Sequence, residues 1–180
     1  MNSFTIRRAA LSDAAVLAEL AARTFTETFA SDNSPADLAA HLRNSYGLAQ
    51  QSAEIEDPDV TTLLALQRED AIGFAQVRRK AAPSCVIGEC PIELHRFYLT
   101  QSAQGKGFAA PLMLAARAAA QELGGHHIWL GVWERNPRAI AFYLKSGFVQ
   151  AGSHVFTVGS DRQTDFLFVS PLSAQVTGAV

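Results

Sequence analysis

The chain is expected to fold as a mixed α/β (α+β) protein, with a sheet of about seven strands flanked by helices. Three observations carry this expectation. Amphipathic helical patterns follow the first strand, a meander of strands occupies the middle, and a strand, a long Ala-rich helix and another strand form a crossover toward the end. With 180 residues, 48% hydrophobic and 18% charged, the chain can bury one sizeable core but offers little material for a second. One domain over residues 1–172 with a flexible tail at 173–180 is therefore expected.

The elements follow in order. Phe4, Thr5 and Ile6 read as an opening strand, after which Ser12 is placed to cap a helix carrying Val16, Leu17, Leu20 and Ala21 on one face, extended by Phe25 and Phe29. Ser34 before Pro35 starts a second helix that buries Leu38 and Leu42. Asp57 and Pro58 then break the chain. Val60 to Gln67 and Ile72 to Val77 form a hairpin turning at Arg68, Glu69 and Asp70. Arg79 to Glu89 reads as a loop and Ile92 to Leu99 as a strand. A turn at Gln104 to Gly107 leads into the helix Phe108 to Leu123, which stops at Gly124 and Gly125. His127 to Val132 is a buried strand, and Pro137 opens a short helix that ends at Gly147. Strands Phe148 to Val158 and Gln163 to Val169 flank a turn at Gly159, Ser160 and Asp161.

Composition narrows the partners. Fifteen Lys and Arg against 17 Asp and Glu leave no basic excess for nucleic acid or anionic membrane, so a small molecule is the expected partner. Met1 to Arg8 lacks an apolar signal core, and the greasiest stretch, Phe108 to Ala120, is broken by Arg117 and too short to span a bilayer. A cytoplasmic location is expected, with Cys85 and Cys90 reduced. Cys85, Cys90 and His95 lack a Cys-x-x-Cys pair or a second cluster, so no metal is expected.

The segment Gln104-Gly105-Lys106-Gly107-Phe108-Ala109 lies between a strand and a long helix. Helix-start amides are unpaired and sit at the positive end of the helix dipole, and glycines let a pyrophosphate approach closely. Two other phosphate-binding readings fail. A Walker loop requires Ser or Thr directly after Gly105-Lys106, where Gly107 stands followed by Phe108, and a glycine where Thr100 stands, and the three spaced glycines of a dinucleotide fingerprint are missing.

The second pattern, Trp133-Glu134-Arg135-Asn136-Pro137-Arg138-Ala139-Ile140-Ala141-Phe142-Tyr143-Leu144-Lys145-Ser146-Gly147-Phe148, resembles motif B of the GNAT acetyltransferases, and the glycine turn resembles their motif A. Thr24 to Phe29, Asn33-Ser34-Pro35, Gly152-Ser153-His154 and Gln163-Thr164-Asp165 resemble the PaiA-type spermidine/spermine N-acetyltransferases of that superfamily. The resemblance implies a mostly antiparallel mixed sheet whose fourth and fifth strands splay apart to admit coenzyme A. It also implies an acetyl-CoA-dependent N-acetyltransferase acting on a small amine, a polyamine among them, by direct transfer in a ternary complex. A non-catalytic acyl-CoA-binding module and an enzyme for amino acid or protein amines are the alternatives, and both monomer and homodimer remain open.

By the same resemblance, backbone groups of Phe97, Tyr98 and Leu99 pair with pantetheine, and amides from Gln104, Gly105, Lys106, Gly107, Phe108 and Ala109 hold the pyrophosphate. Glu93, eleven residues before Gln104, is the candidate general base, or else a structural carboxylate paired with Arg96 or simply solvated at the strand start. His95 is the competing base on the same strand face and a candidate acceptor contact. Tyr143 is the candidate general acid at the coenzyme sulfur, and Asn136 binds cofactor or caps the helix at Pro137. Glu27, with Phe25 and Phe29, is the expected acceptor site for a cationic amine, Phe25 and Phe29 serving alternatively as plain core.

Overall fold

The computed structural model describes residues 4–31, 33–158 and 161–172. Seven strands form one sheet: β1 (Phe4–Arg8), β2 (Val60–Gln67), β3 (Asp70–Arg79), β4 (Pro91–Leu99), β5 (His127–Trp133), β6 (Val149–Val158) and β7 (Asp161–Pro171), in the spatial order β1-β2-β3-β4-β5-β7-β6. Every neighbouring pair is antiparallel except β4 and β5, which are parallel. The helices are α1 (Ala14–Phe29), α2 (Pro35–Ser45), α3 (Leu48–Glu56), α4 (Ala109–Glu122) and α5 (Pro137–Lys145). None of the described helices is long and apolar enough to cross a membrane.

Alternation along the strands builds a core on each face of the sheet. Leu63 and Ala65 of β2 pack with Leu112, Met113 and Ala116 of α4, whereas Leu64 packs with Leu17, Leu20 and Ala21 of α1. The β2–β3 hairpin turns where expected, with Arg68 at φ 61°. Ser34 caps α2 by accepting from the Asp37 amide at 3.2 Å.

Three details differ from the sequence expectation. A single 3₁₀ turn, Leu11–Asp13, precedes α1, and the Asp13 carboxylate, not Ser12, accepts from the Ala10 amide at 2.7 Å while binding Arg7. Val16 is 49% exposed and lies off the buried stripe of α1. Helix α3 was not expected at all, because its one buried residue is Gln51 and Leu48 at its start faces solvent. The expected turn at Gly159 and Ser160 and the tail 173–180 lie outside the described residues.

Helix α3 is held by a buried polar network. Arg96 of β4, 7% exposed, donates to Glu54 of α3, to Gln76 Oε1 at 3.2 Å and to the Ser45 carbonyl at 3.2 Å, and its guanidinium lies 4.9 Å over the Tyr46 ring. Gln76 Nε2 completes it, donating to Glu54 at 3.0 Å and to Thr62 Oγ1 at 3.0 Å. Burial alone would raise the Glu54 pKa, but hydrogen bonds and charge from Arg96, with Gln50 and Gln76, bring it below its ordinary value. Glu54 therefore stabilises the fold above the unfolded carboxylate pKa, and that contribution is lost as pH falls through the depressed folded value. We expect Arg96→Met, which strands Glu54 without its cation, to cost about 3 kcal/mol in urea unfolding at neutral pH, and the deficit to shrink in acid.

Candidate active site

The site begins where two strands part. β4 and β5 pair only through Pro91, Ile92 and Glu93 with His127, Ile128 and Trp129, and beyond Glu93 they diverge. A β-bulge marks the same place: Val77 of β3 faces Leu94 and Gln76 faces Arg96, so His95 has no partner on β3. The extra residue switches the alternation. Ile92 and Leu94 face the α4 core before it and Phe97 and Leu99 after it.

A cavity of about 1160 Å³ runs through the gap. On the α4 side it reaches Gln104, Gly105, Gly107 and Ala109, together with Asn136 and Tyr143 of α5. Gly105 and Gly107 have φ of +73° and +88°, and a Cβ at either would meet no atom within 4 Å. The turn is thus an open concave cradle at the N-terminus of a 14-residue helix, whose first amides lack partners within the helix. Phe97, Tyr98 and Leu99 also line the cavity, on the stretch of β4 no longer paired with β5. These features fit coenzyme A: unpaired strand backbone for the pantetheine arm and an anion cradle for the pyrophosphate. Lys106 is exposed and Phe108 packs on Phe4 at 4.8 Å between ring centroids; neither side chain lines the cavity.

Tyr143 sits on the α4 side of the cavity, wedged among Phe97, Phe142 and Phe148 with centroids 5.6 to 6.3 Å away. Burial pushes its hydroxyl well above its ordinary pKa, so it stays protonated. Asn136 caps α5, accepting from the Ala139 amide at 3.1 Å, and lines the cavity as well.

At the opposite end stand Phe25, Phe29, Glu93 and His95. Glu93 does not pair with Arg96; it accepts from Arg78 Nε at 2.5 Å, its cross-strand neighbour, with Lys80 Nζ at 4.0 Å and His95 Nδ1 at 3.8 Å. Burial, reinforced by the charges of Arg96, Arg78 and Lys80, lowers the His95 pKa to about 2, so the imidazole is neutral. Phe25 stacks on His41 at 4.3 Å, and Phe29 lies 5.8 Å from Trp133. Glu27 is placed elsewhere. Its carboxylate accepts from the Gln101 amide at 2.8 Å, tying α1 to the loop after β4, and it lines a smaller adjoining cleft.

Two lining residues escaped the sequence reading. The Trp129 indole N–H is buried without an acceptor among the described residues, and the Asp165 carboxylate of β7 lies beside Gly131 of β5. Asp165 had appeared only as part of a subgroup pattern, and cross-strand pairing is what brings it to the gap.

A sheet opened between parallel strands, with a glycine turn at a helix N-terminus on one side and a buried tyrosine at the gap, fits a coenzyme A-dependent acyltransferase. The chain belongs to the acetyltransferase (GNAT) family, whose pattern matches residues 16–148. It is 33% identical over 149 residues to an uncharacterized N-acetyltransferase of Lactobacillus delbrueckii subsp. lactis, covering 83% of this chain and 86% of the other. It is 31% identical over 162 residues to an uncharacterized N-acetyltransferase of Mycobacterium bovis, covering 90% and 99%. Among solved structures it is similar to the PaiA N-acetyltransferase of Thermoplasma acidophilum in complex with coenzyme A, with a TM-score of 0.76, 25% identity and coverage of 94% and 99%. The protein is an N-acetyltransferase that uses acetyl-CoA.

Gly107→Val forces a β-branched side chain to φ +88° at a position where a Cβ would meet no atom within 4 Å. We expect the folded variant to bind acetyl-CoA at least about tenfold more weakly by calorimetry, the cradle having lost its shape.

Proposed function

We propose that the chain transfers the acetyl group directly to a primary amine of a small cationic acceptor within a ternary complex, a polyamine such as spermidine being the first candidate. The observation that carries this reading is the single cavity that holds the glycine cradle at one end and an aromatic wall with carboxylates at the other. Phe29 and Trp133 offer faces to a cation, Asp165 offers charge and Glu93 a hydrogen-bond acceptor. The likeness to a PaiA N-acetyltransferase supports the same choice.

Bound acetyl-CoA supplies a thioester whose C–S bond breaks as the new C–N bond forms. The residues of the chain do the rest. Tyr143, kept protonated by burial, donates its proton to the departing sulfur. Asn136 fixes the start of α5 and so the position of Tyr143 seven residues on. Glu93, whose Oε2 is held by Arg78, orients the amine by hydrogen bonding through its other oxygen. Neutral His95 lines the same end and contacts the acceptor without adding a repelling charge.

A second reading, an amino acid or peptide amine, is favoured by the Trp129 N–H and Lys80, donors suited to a carboxylate at the same end. Specificity constants for putrescine, spermidine, spermine, amino acids and a peptide decide between them. The polyamine reading expects the highest value for a polyamine; a higher value for an amino acid or peptide overturns it. Tyr143→Phe should leave acetyl-CoA affinity unchanged and lower kcat by about 100-fold, measured as thiol release.

A further inference from the structure

Past the point where β4 and β5 part, Gly131 is the next residue of β5 on the Trp129 face. A Cβ there would lie 3.3 Å from Asp165 Oδ2 and 3.8 Å from His154 Cε1. The missing side chain is therefore what lets the Asp165 carboxylate lean over bare strand backbone at the edge of the gap. Asp165 is held there by register: it faces Trp133 of β5 on one side and His154 of β6 on the other, and His154 Nε2 stands 4.0 Å from Oδ2. The His154 side chain is 39% exposed against 17% for Asp165, so the pair runs from the cavity outward to water.

We infer that Asp165 takes the proton of the attacking amine and passes it through His154 to solvent. The inference rests on the acetyl-transfer reading above. The cavity wall carries two carboxylates, Glu93 and Asp165, and three imidazoles, His41, His95 and His154, and their surroundings separate them. His41 is stacked on Phe25 and made a weaker base by burial, and His154 opens to water. Glu93 is engaged by Arg78 at 2.5 Å with Lys80 4.0 Å away. His95 is made a very weak base by burial and by three nearby cations. Asp165 meets no Lys or Arg among the described ion pairs, and burial raises its pKa against the lowering effect of His154, with Glu134 adding to the rise. A carboxylate moved upward from its usual range and free of a guanidinium partner is suited to accept a proton.

The protons balance as follows. The acceptor's ammonium gives one proton to Asp165 and thence, by way of His154, to water. The freed nitrogen lone pair forms the C–N bond, the C–S electron pair stays on sulfur, and sulfur takes the Tyr143 proton. The second nitrogen proton, lost as the amide forms, restores Tyr143 through water in the cavity.

The test uses the full chain with acetyl-CoA and whichever of spermidine, putrescine, L-lysine and glycine amide gives most thiol release. Asp165→Asn is nearly isosteric; we expect unchanged acetyl-CoA affinity by calorimetry, kcat lowered by about 100-fold or more, and loss of the acid limb of the pH–rate profile. Calorimetric binding of the same amine without acetyl-CoA should also weaken. Glu93→Gln should raise KM more than it lowers kcat and keep the acid limb, which His154 and Glu134 beside Asp165 can tilt. His154→Gln should lower kcat in dilute buffer and recover with added imidazole. Asp165→Asn within about threefold of the wild-type kcat, or an acid limb abolished by Glu93→Gln instead, overturns the inference and leaves the acetyltransferase reading intact. Wild-type protein that binds acetyl-CoA but acetylates none of the amines overturns the small-amine reading and this inference with it.

Discussion

The parting of β4 and β5 is the constraint on which the rest of the structure depends. A sheet gains from each ladder hydrogen bond and is penalised when buried backbone groups go unpaired. Here the ladder between the two central strands stops after three residue pairs, in the middle of a seven-stranded sheet. The unpaired edge is tolerable because it lines a cavity, where solvent or the pantetheine arm can satisfy it. The cofactor site is in this sense a defect that the flanking structure has to hold open.

Two devices hold it, one on each face. On the α4 face the rings of Phe97, Phe142, Tyr143 and Phe148 form a contiguous wedge, with Phe97 stacked 5.5 Å from Phe142, so β4 is braced against α5 instead of against β5. On the other face Arg96 ties β4 to α3 and to the carbonyl at the end of α2. The bulge at His95 is what serves both at once. By adding one residue it directs Arg96 to the α3 side and Phe97 to the α5 side, immediately after the strand has lost its partner.

How much of this was legible in the sequence follows from which signals are local. The glycine turn and the Asn136 cap announce themselves through backbone requirements of single residues, and the structure has positive φ at Gly105 and Gly107 and a capping bond at Asn136. The β2–β3 hairpin is likewise visible from its turn. Helix α3 was invisible because it buries a glutamine and presents few apolar residues, its place being set by Glu54 reaching Arg96, 42 positions away. The partner of Glu93 was misjudged for a related reason: Arg96 is near in sequence, but strand pairing puts Arg78 directly across. Glu27 has the residue type expected of an acceptor site, yet a backbone amide at Gln101 claims it. Asp165 gains its position from two strand registers and one absent side chain, and no window of sequence contains all three.

Under the reading of a cationic acceptor proposed above, these placements let a chain of net charge −2 take such an amine without a broadly acidic surface. At the acceptor end the permanent cations are matched locally, Arg96 by Glu54 and Arg78 by Glu93, with Lys80 at the edge of the second pair. Each match cancels at short range and contributes little to the potential inside the cavity. Among the described ion pairs Asp165 has only His154 beside it, with no Lys or Arg to match it. The negative potential that an amine meets at the gap therefore comes mainly from one side chain, acting within a few ångströms across a poorly screened interior. Selection of the acceptor is then a short-range matter of contact and desolvation at the gap, and long-range steering has little part in it.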